Sequence, residues 1–417
     1  MDINSILKGV KCSCGKFHKC DIEYVFVEKD AIKKLENICG KYEKILIVAD
    51  ENTYKAAGEK VETALKDKKL EKVIFDGEKI LIPDEIAIEV VQKSIKDSDL
   101  ILGIGSGVIQ DLCKYVSFFA KMPYMIVATA PSMDGYASDG AAMILKRMKE
   151  TVKAHLPVAI IADVDVLKNA PLDMLKAGYG DIIGKYSALC DWKLSNIINY
   201  EYFCQYIYDT TNQMIENTLK NPKGILERDE ECIKAVMEAL VIVGIMMSFA
   251  GSSRPASGSE HHLSHFFEIV GIVDDKPYFP HGIDVAYSTV VTAKVRENLL
   301  ASAFPDKIFR EDHKPIVKEI YKSVADECIA LQEKVGNYAL DRIDIYKAKE
   351  KEIKKVMAEV PSSEEITKML EDVQLYMKDF YEMYGIDKVE TAVKYAKDLK
   401  DRYTVLWINY DLRGGEA

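Results

Sequence analysis

An excess of basic charge is missing from this sequence. Its 417 residues carry 56 Lys+Arg against 67 Asp+Glu, a formal net charge of −11, which argues against a nucleic-acid binder, since that needs a basic face to displace phosphate counterions. An anionic substrate would have to be held by local groups rather than by the global field. Long hydrophobic runs are also missing. The strongest, Ala239 to Met247 inside AVMEALVIVGIMMSFA (235–250), carries Glu238 at its edge and is too short to span a bilayer, so a buried helix is expected. The opening residues MDINSILKGVKC have no apolar signal core. The expectation is a cytoplasmic protein with no membrane span and no nucleic-acid partner. There is no internal repeat, low-complexity tract or flexible linker. Nine cysteines, scattered from Cys12 to Cys328, do not form a disulfide framework for a chain this long; most are expected as small core residues. The one cluster is CSCGKFHKC (12–20), where Cys12, Cys14, His18 and Cys20 have the chemistry of zinc ligands. A single residue between two cysteines is an awkward chelate, and a turn at Gly15 followed by a strand is the plainer reading.

What is present is apolar side chain, 48% of residues against 29% charged, enough for a large core in two domains. KILIVAD (44–50), EKVIFD (71–76), DLILGIG (99–105), PYMIVATA (123–130) and VAIIADVDVL (158–167) read as strands. Between them, 53–67 and 84–97 have the three- and four-residue apolar spacing of helices. Continuous apolar strands alternating with helices predict a parallel sheet covered on both faces. Beyond about residue 170 helical periodicity takes over, and SSEEITKMLEDVQLYMKDFYEMYG (362–385) opens on a capping box, Ser362 to Glu365, and ends at Gly385. The fold class is therefore α/β, a Rossmann-like domain (1–170) followed by an all-helical domain (171–417), with the site expected in a cleft between them.

Parallel sheets bind ligands beyond the carboxyl ends of their strands. Asp50 ends the first apolar strand, where a carboxylate can accept hydrogen bonds from an adenine ribose or simply cap the next helix. Gly105, Ser106 and Gly107 end another strand and open a helix whose first amides can cradle a pyrophosphate, although the spacing is not the dinucleotide fingerprint. TAPSMDGYASDGAA (129–142) is a small, hydroxyl-rich loop with Asp134 and Asp139, placed for the nicotinamide end and substrate hydroxyls or serving only as a polar turn. Of seven histidines, four lie between 261 and 281. His261 and His265 share one helical face with Glu268 a turn further on, and His281 follows in PHG. Two imidazoles and a carboxylate suit a catalytic divalent metal with an open coordination position.

The ordered set GSGVIQDLCKYVS (105–117), TAPSMDGYASDGAA, PVAIIADVDVLKNAP (157–171), AGYGDIIGKYSALCDWKLS (177–195), SRPASGSEHHLSHFFE (253–268) and PHG (280–282) resembles the iron-containing alcohol dehydrogenase and dehydroquinate synthase-like superfamily. Within it the set is similar to the sn-glycerol-1-phosphate dehydrogenases, over roughly residues 20 to 300. The resemblance implies metal ligands Asp181, His261 and His281, with His262 the competitor of His261. It implies dinucleotide contacts at Asp50, Gly105, Ser106, Gly107, Asp111, Thr129, Ser132 and Ser138. Asp134 matches a position that meets substrate hydroxyls and takes part in catalysis, and His265 is the candidate proton donor. Iron-type enzymes carry a further ligand His four residues after the Asp, where this chain has Lys185, a cation suited to a phosphate. Arg254 and His262 complete the implied substrate contacts; the alternative for Arg254 is a loop-bracing salt bridge. The implied activity is reversible reduction of dihydroxyacetone phosphate to sn-glycerol 1-phosphate with NAD(H) preferred over NADP(H), one divalent metal (zinc, nickel or iron) and a homodimeric or larger homo-oligomeric state. The alternatives are a glycerol or other polyol dehydrogenase and a dehydroquinate synthase-type lyase.

Overall fold

A computed structural model describes residues 2–79, 81–145 and 148–416. Strands buried on both faces need apolar side chains at every position, and the continuous runs of the sequence form such strands. Two short strands, β1 (Val10–Lys11) and β2 (Phe17–His18), make an antiparallel hairpin. β3 (Tyr24–Glu28), β4 (Lys44–Asp50), β5 (Lys69–Phe75), β6 (Leu100–Gly105), β7 (Tyr124–Ala128) and β10 (Ala159–Asp163) form a six-stranded sheet, and β8 (Gly140–Leu145) pairs with β9 (Met148–Lys153) in a second hairpin. The large sheet is parallel throughout, in the order β3-β10-β7-β6-β4-β5. Its interior strands β4, β6, β7 and β10 are almost wholly buried, whereas β5 carries exposed charge along one edge, which discourages further pairing. From β4 the chain moves outward to β5 and then returns to β6 on the other side of β4, so the order reverses between β4 and β6. That reversal is the topological switch point at which open α/β sheets bind ligands. Helices α1 (Glu51–Ala64), α2 (Glu85–Ser94) and α3 (Gly107–Ala120) provide connections.

After Asp163 no strand occurs among the described residues. The longer helices that follow are α4 (Leu172–Asn199), α5 (Gln205–Thr218), α6 (Glu230–Ala250), α7 (Ser259–Asp274) and α8 (His281–Ala301), before a run of shorter C-terminal helices. The chain divides into two compact units, but not at the expected 170/171 boundary. Met1–Tyr179 with Lys220–Gly251 forms one, and Gly180–Leu219 with Ser252–Ala417 the other. The reason is α6, in which Glu231, Lys234 and Glu238 lie along one stripe while its other faces are mostly buried, and which belongs to the sheet unit. A Cβ at Gly244 would stand 2.7 Å from the Asp134 carbonyl, and Ser248 Oγ donates to the Ala137 carbonyl at 3.0 Å. By length and composition α6 could cross a membrane, but it is 78% buried inside the fold, which makes it a core helix.

Three further expectations are corrected. The run 158–167 stops being a strand at Asp163, whose carboxylate accepts the Asp165 N–H and caps a short helix, Val164–Leu167. The edge strand β3 and the β8-β9 hairpin are additional. The 362–385 segment keeps its capping box at Ser362 but breaks into Ser363–Glu371 and Met377–Tyr384, with Gln374 in the left-handed region at φ 58°.

Candidate metal centre and nucleotide-binding loops

In the sheet unit, Asp50 and Gly105 end adjacent strands at the switch point, where Ala49 pairs with Ile104. Asp50 also caps α1. Its Oδ1 accepts the Thr53 N–H at 2.9 Å, while Thr53 Oγ1 accepts the Asp50 N–H at 3.1 Å. A Cβ at Gly105 would lie 2.5 Å from the Ile109 side chain, so β6 turns into α3 only because nothing larger stands there. Ser106 precedes α3 without a side-chain cap. At Gly107 the nearest atom to an added Cβ is 3.6 Å away, on Met133. A helix start with uncapped amides and an acid on the neighbouring strand end fits a dinucleotide. Asp111 lies one turn into α3, and Lys114 Nζ is 3.4 Å from its Oδ1. Thr129 donates its N–H to the Gly105 carbonyl at 3.1 Å, tying the loop after β7 to the end of β6. Ser132 and Asp134 are half-buried in that loop. Ser138 Oγ braces it from within by donating to the Gly135 carbonyl at 3.1 Å.

In the helical unit, Asp181 of α4, His261 of α7 and His281 at the first position of α8 converge. One donor atom from each lies within 4.8 Å of the other two. His261 Nε2 is 3.7 Å from Asp181 Oδ1, and the His261 and His281 ring centroids are 5.1 Å apart. His265 joins them, its ring 5.4 Å from that of His281 and its Nδ1 3.6 Å from Glu268 Oε2. Glycines make the convergence possible. A Cβ at Gly180 would stand 2.5 Å from the Gly282 carbonyl, and one at Gly184 2.5 Å from Val285 Cγ1, so α4 crosses α8 at backbone distance beside Asp181 and His281. An oxygen donor with two imidazoles fits zinc, nickel or iron(II) equally.

Buried acids stand behind this cluster. Glu260 Oε1 accepts the Gly258 N–H at 2.8 Å and faces His261 Nδ1 at 2.6 Å. With the proton on Nδ1, this contact turns the Nε2 lone pair toward Asp181, the usual outer support of a metal-bound histidine. Burial pushes the Glu260 carboxyl up to about 7. Asp191, accepting N–H bonds from Ser259 and Val405 at 2.6 and 2.7 Å, is pushed up to about 6 by burial and then by the nearby Glu260. Neither acid stands out in the sequence, although Glu260 directly precedes the histidine pair. Lys114 was also missed: it is fully buried in α3 and donates to the Gly135 and Gly140 carbonyls at 3.1 and 2.7 Å, holding the Asp134 loop.

Several implied substrate contacts are otherwise engaged. Lys185 is wholly buried and donates to Asp181 Oδ1 at 2.6 Å and to the Ala256 carbonyl at 3.0 Å, so its ammonium meets the Asp181 carboxylate. Arg254 takes the loop-bracing alternative. Its Nε donates to Glu201 at 2.6 Å, one terminal nitrogen donates to the Tyr403 carbonyl at 2.8 Å, and the other reaches Ser195 Oγ and Glu201. No open fork remains for a phosphate. His262 is fully buried, one residue beyond His261, and outside the converging group. Burial, then the charges of Lys400 and Arg402 among others, holds its imidazole well below the usual range. Arg402, which donates to the Ser257 carbonyl at 2.7 Å and to Ser253 Oγ at 2.8 Å, lies too far along the chain for any local motif to include it.

The sequence pattern of the iron-containing alcohol dehydrogenase family matches residues 26–171. A glycerol-1-phosphate dehydrogenase [NAD(P)+] of Geobacillus thermodenitrificans is 31% identical, the alignment covering 97% of this chain and 96% of the relative. One from Halalkalibacterium halodurans is 33% identical over 77% of this chain and 83% of the relative. Among solved structures, an alcohol dehydrogenase from Oenococcus oeni superposes with a TM-score of 0.60 at 14% identity, covering 92% of this chain and 94% of that one. The glycerol dehydrogenase of Schizosaccharomyces pombe does so at 0.54 and 18%, covering 88% and 92%. These structures establish the fold, and the sequence relatives the narrower group: this chain belongs to the glycerol-1-phosphate dehydrogenase family of iron-containing alcohol dehydrogenase-like proteins.

Proposed function

We propose that the protein catalyses the reversible, NAD(P)H-dependent and metal-dependent reduction of dihydroxyacetone phosphate to sn-glycerol 1-phosphate. The observation that carries this reading is the convergence of Asp181, His261 and His281 within 4.8 Å. A divalent cation held by these three would polarise the substrate carbonyl as a Lewis acid, and a reduced nicotinamide would supply the hydride. The chain's own residues do the rest. Glu260 fixes the ring of His261. Lys185 balances the charge of Asp181. His265, its Nδ1 turned to Glu268, passes a proton through Nε2 to the oxygen that becomes the new hydroxyl. Asp134 meets the substrate hydroxyls. The Asp50 carboxylate accepts from the ribose hydroxyls and repels a 2′-phosphate, favouring NAD(H). Arg254, tied to Glu201, braces its loop and is not assigned the substrate phosphate.

The test is a substrate panel with NADH and added zinc, nickel or iron(II). Dihydroxyacetone phosphate should exceed unphosphorylated dihydroxyacetone by at least about 10²-fold in kcat/KM, because a site built around a charged group strongly rejects an analogue lacking it. Equal use of both would make the protein a general polyol dehydrogenase. Phosphate release with no net consumption of NADH would make it a lyase.

A further inference from the structure

The hairpin at the start of the chain is too small to hold itself together. β1 and β2 contribute two residues each, pairing Val10 with His18 and Lys11 with Phe17, and even longer isolated hairpins are marginal in water. Its turn is nevertheless closely specified. The Cys12 N–H donates to the Lys16 carbonyl and the Gly15 N–H to the Cys12 carbonyl, both at 3.1 Å. Gly15 sits at φ +87°, which a side chain would resist. The Cys14 N–H points at Cys12 Sγ from 3.5 Å. Two cysteines one residue apart, normally a poor chelate, are thereby brought to one side of a single turn.

His18 makes the arrangement a site. It is only 2% exposed, unusual for a polar residue on so short a strand. Its ring stacks on Phe249 at the end of α6, with centroids 5.3 Å apart and planes within 15°. The stack leaves Nε2 3.3 Å from Cys14 Sγ. Cys12, Cys14 and His18 each place a donor atom within 4.8 Å of the others. Tetrahedral zinc bonds of ~2.3 Å to sulfur and ~2.0 Å to nitrogen require donors about 3.5 Å apart, close to the Cys14–His18 separation. Cys20, the fourth candidate in the sequence, is outside this group; burial raises its thiol and keeps it a neutral core residue.

We propose that Cys12, Cys14 and His18 bind a zinc-class divalent ion, distinct from the cation of the Asp181 site and independent of the reaction. On binding, the two thiols become thiolates, their protons pass to solvent, and the imidazole coordinates as the neutral base. The soft sulfur donors select zinc over magnesium or calcium, and the ion clamps the hairpin against the end of α6.

Cobalt(II) loaded into the reduced full-length protein reports the two sites separately. Thiolate ligands give an intense near-ultraviolet charge-transfer band, which Asp181, His261 and His281 cannot produce. The band is expected in the wild type and in His281→Ala. It should be lost in the Cys12→Ser, Cys14→Ser double variant and after alkylation of the wild type, and weakened in His18→Gln. Zinc analysis of the wild type should exceed that of the double variant by one ion per chain, with turnover retained in the variant. Absence of the band, its survival in the double variant, or equal zinc contents would overturn the proposal. So would a Cys12–Cys14 disulfide that takes up no cobalt once reduced.

Discussion

At the scale of the residue, two acids show how much depends on which oxygen meets which partner. Glu260 faces His261 Nδ1 at 2.6 Å, the outer support of a proposed ligand. Glu260→Gln keeps the volume but loses the charge that favours the proton on Nδ1. Metal affinity is expected to fall about 10- to 100-fold, the usual cost of an altered outer support, with NADH binding unchanged; competition with a chromophoric chelator measures it. Asp50 combines a helix cap with the proposed ribose contact, and the two can be separated. Asn caps as well as Asp, so Asp50→Asn preserves the start of α1 while removing the charge that repels a 2′-phosphate. The ratio of kcat/KM for NADPH over NADH should rise about tenfold, equivalent to ~1.4 kcal/mol of repulsion removed. An unchanged ratio with an unchanged melting temperature would leave Asp50 a cap and nothing more.

At the scale of the element, α4 carries Gly178, Gly180 and Gly184, although each glycine in a helix interior costs ~1 kcal/mol relative to alanine. The crossing with α8 explains two of them, since an added Cβ at Gly180 meets the Gly282 carbonyl at 2.5 Å and Ala286 Cβ at 2.7 Å. Gly180→Ala must push α4 off α8, and with it Asp181 away from His281. The expected result is a loss of about 1–3 kcal/mol in stability from overpacking, together with weaker metal binding; urea titration and metal analysis read the two effects. This crossing was invisible in the sequence, where the glycines looked only like part of a motif. The interior strands were legible because burial on both faces demands unbroken apolar runs. β3 was not, because YVFVE alternates exposed and buried positions at a sheet edge. The break after Glu371 was hidden for a different reason: a glutamine, and neither glycine nor proline, adopts the left-handed turn.

At the scale of the whole molecule, the pattern of the sequence separated sheet from helices but not one compact unit from the other, because α6 returns to the sheet after α4 and α5 have begun the second unit. The clustering of histidines pointed to His261 and His281, which converge with Asp181; Asp181 itself was implied only by the family resemblance. Arg402, whose partners Ser253 and Ser257 lie far back along the chain, was not legible, because nothing local in the sequence marks it. His313 belongs to the same class. It is buried in the helical unit, stacked on Tyr338 with ring centroids 3.4 Å apart, and among the described residues its Nε2 has no hydrogen-bond partner. Burial, reinforced by the Lys397 charge, lowers its pKa to about 4. Because the folded value lies below the ordinary 6.5, the unfolded chain takes up a proton that the folded chain resists between those two limits. Stability is therefore complete above about pH 6.5 and is lost as pH falls toward 4, by up to about 3 kcal/mol from this group. His313→Phe keeps a flat ring against Tyr338 and removes the titration. Urea midpoints for the helical unit, taken from about pH 7.5 to about 4.5, should fall more steeply in the wild type, the gap widening to about 2–3 kcal/mol at the acid end; parallel curves would mean that this histidine is protonated in the folded protein after all.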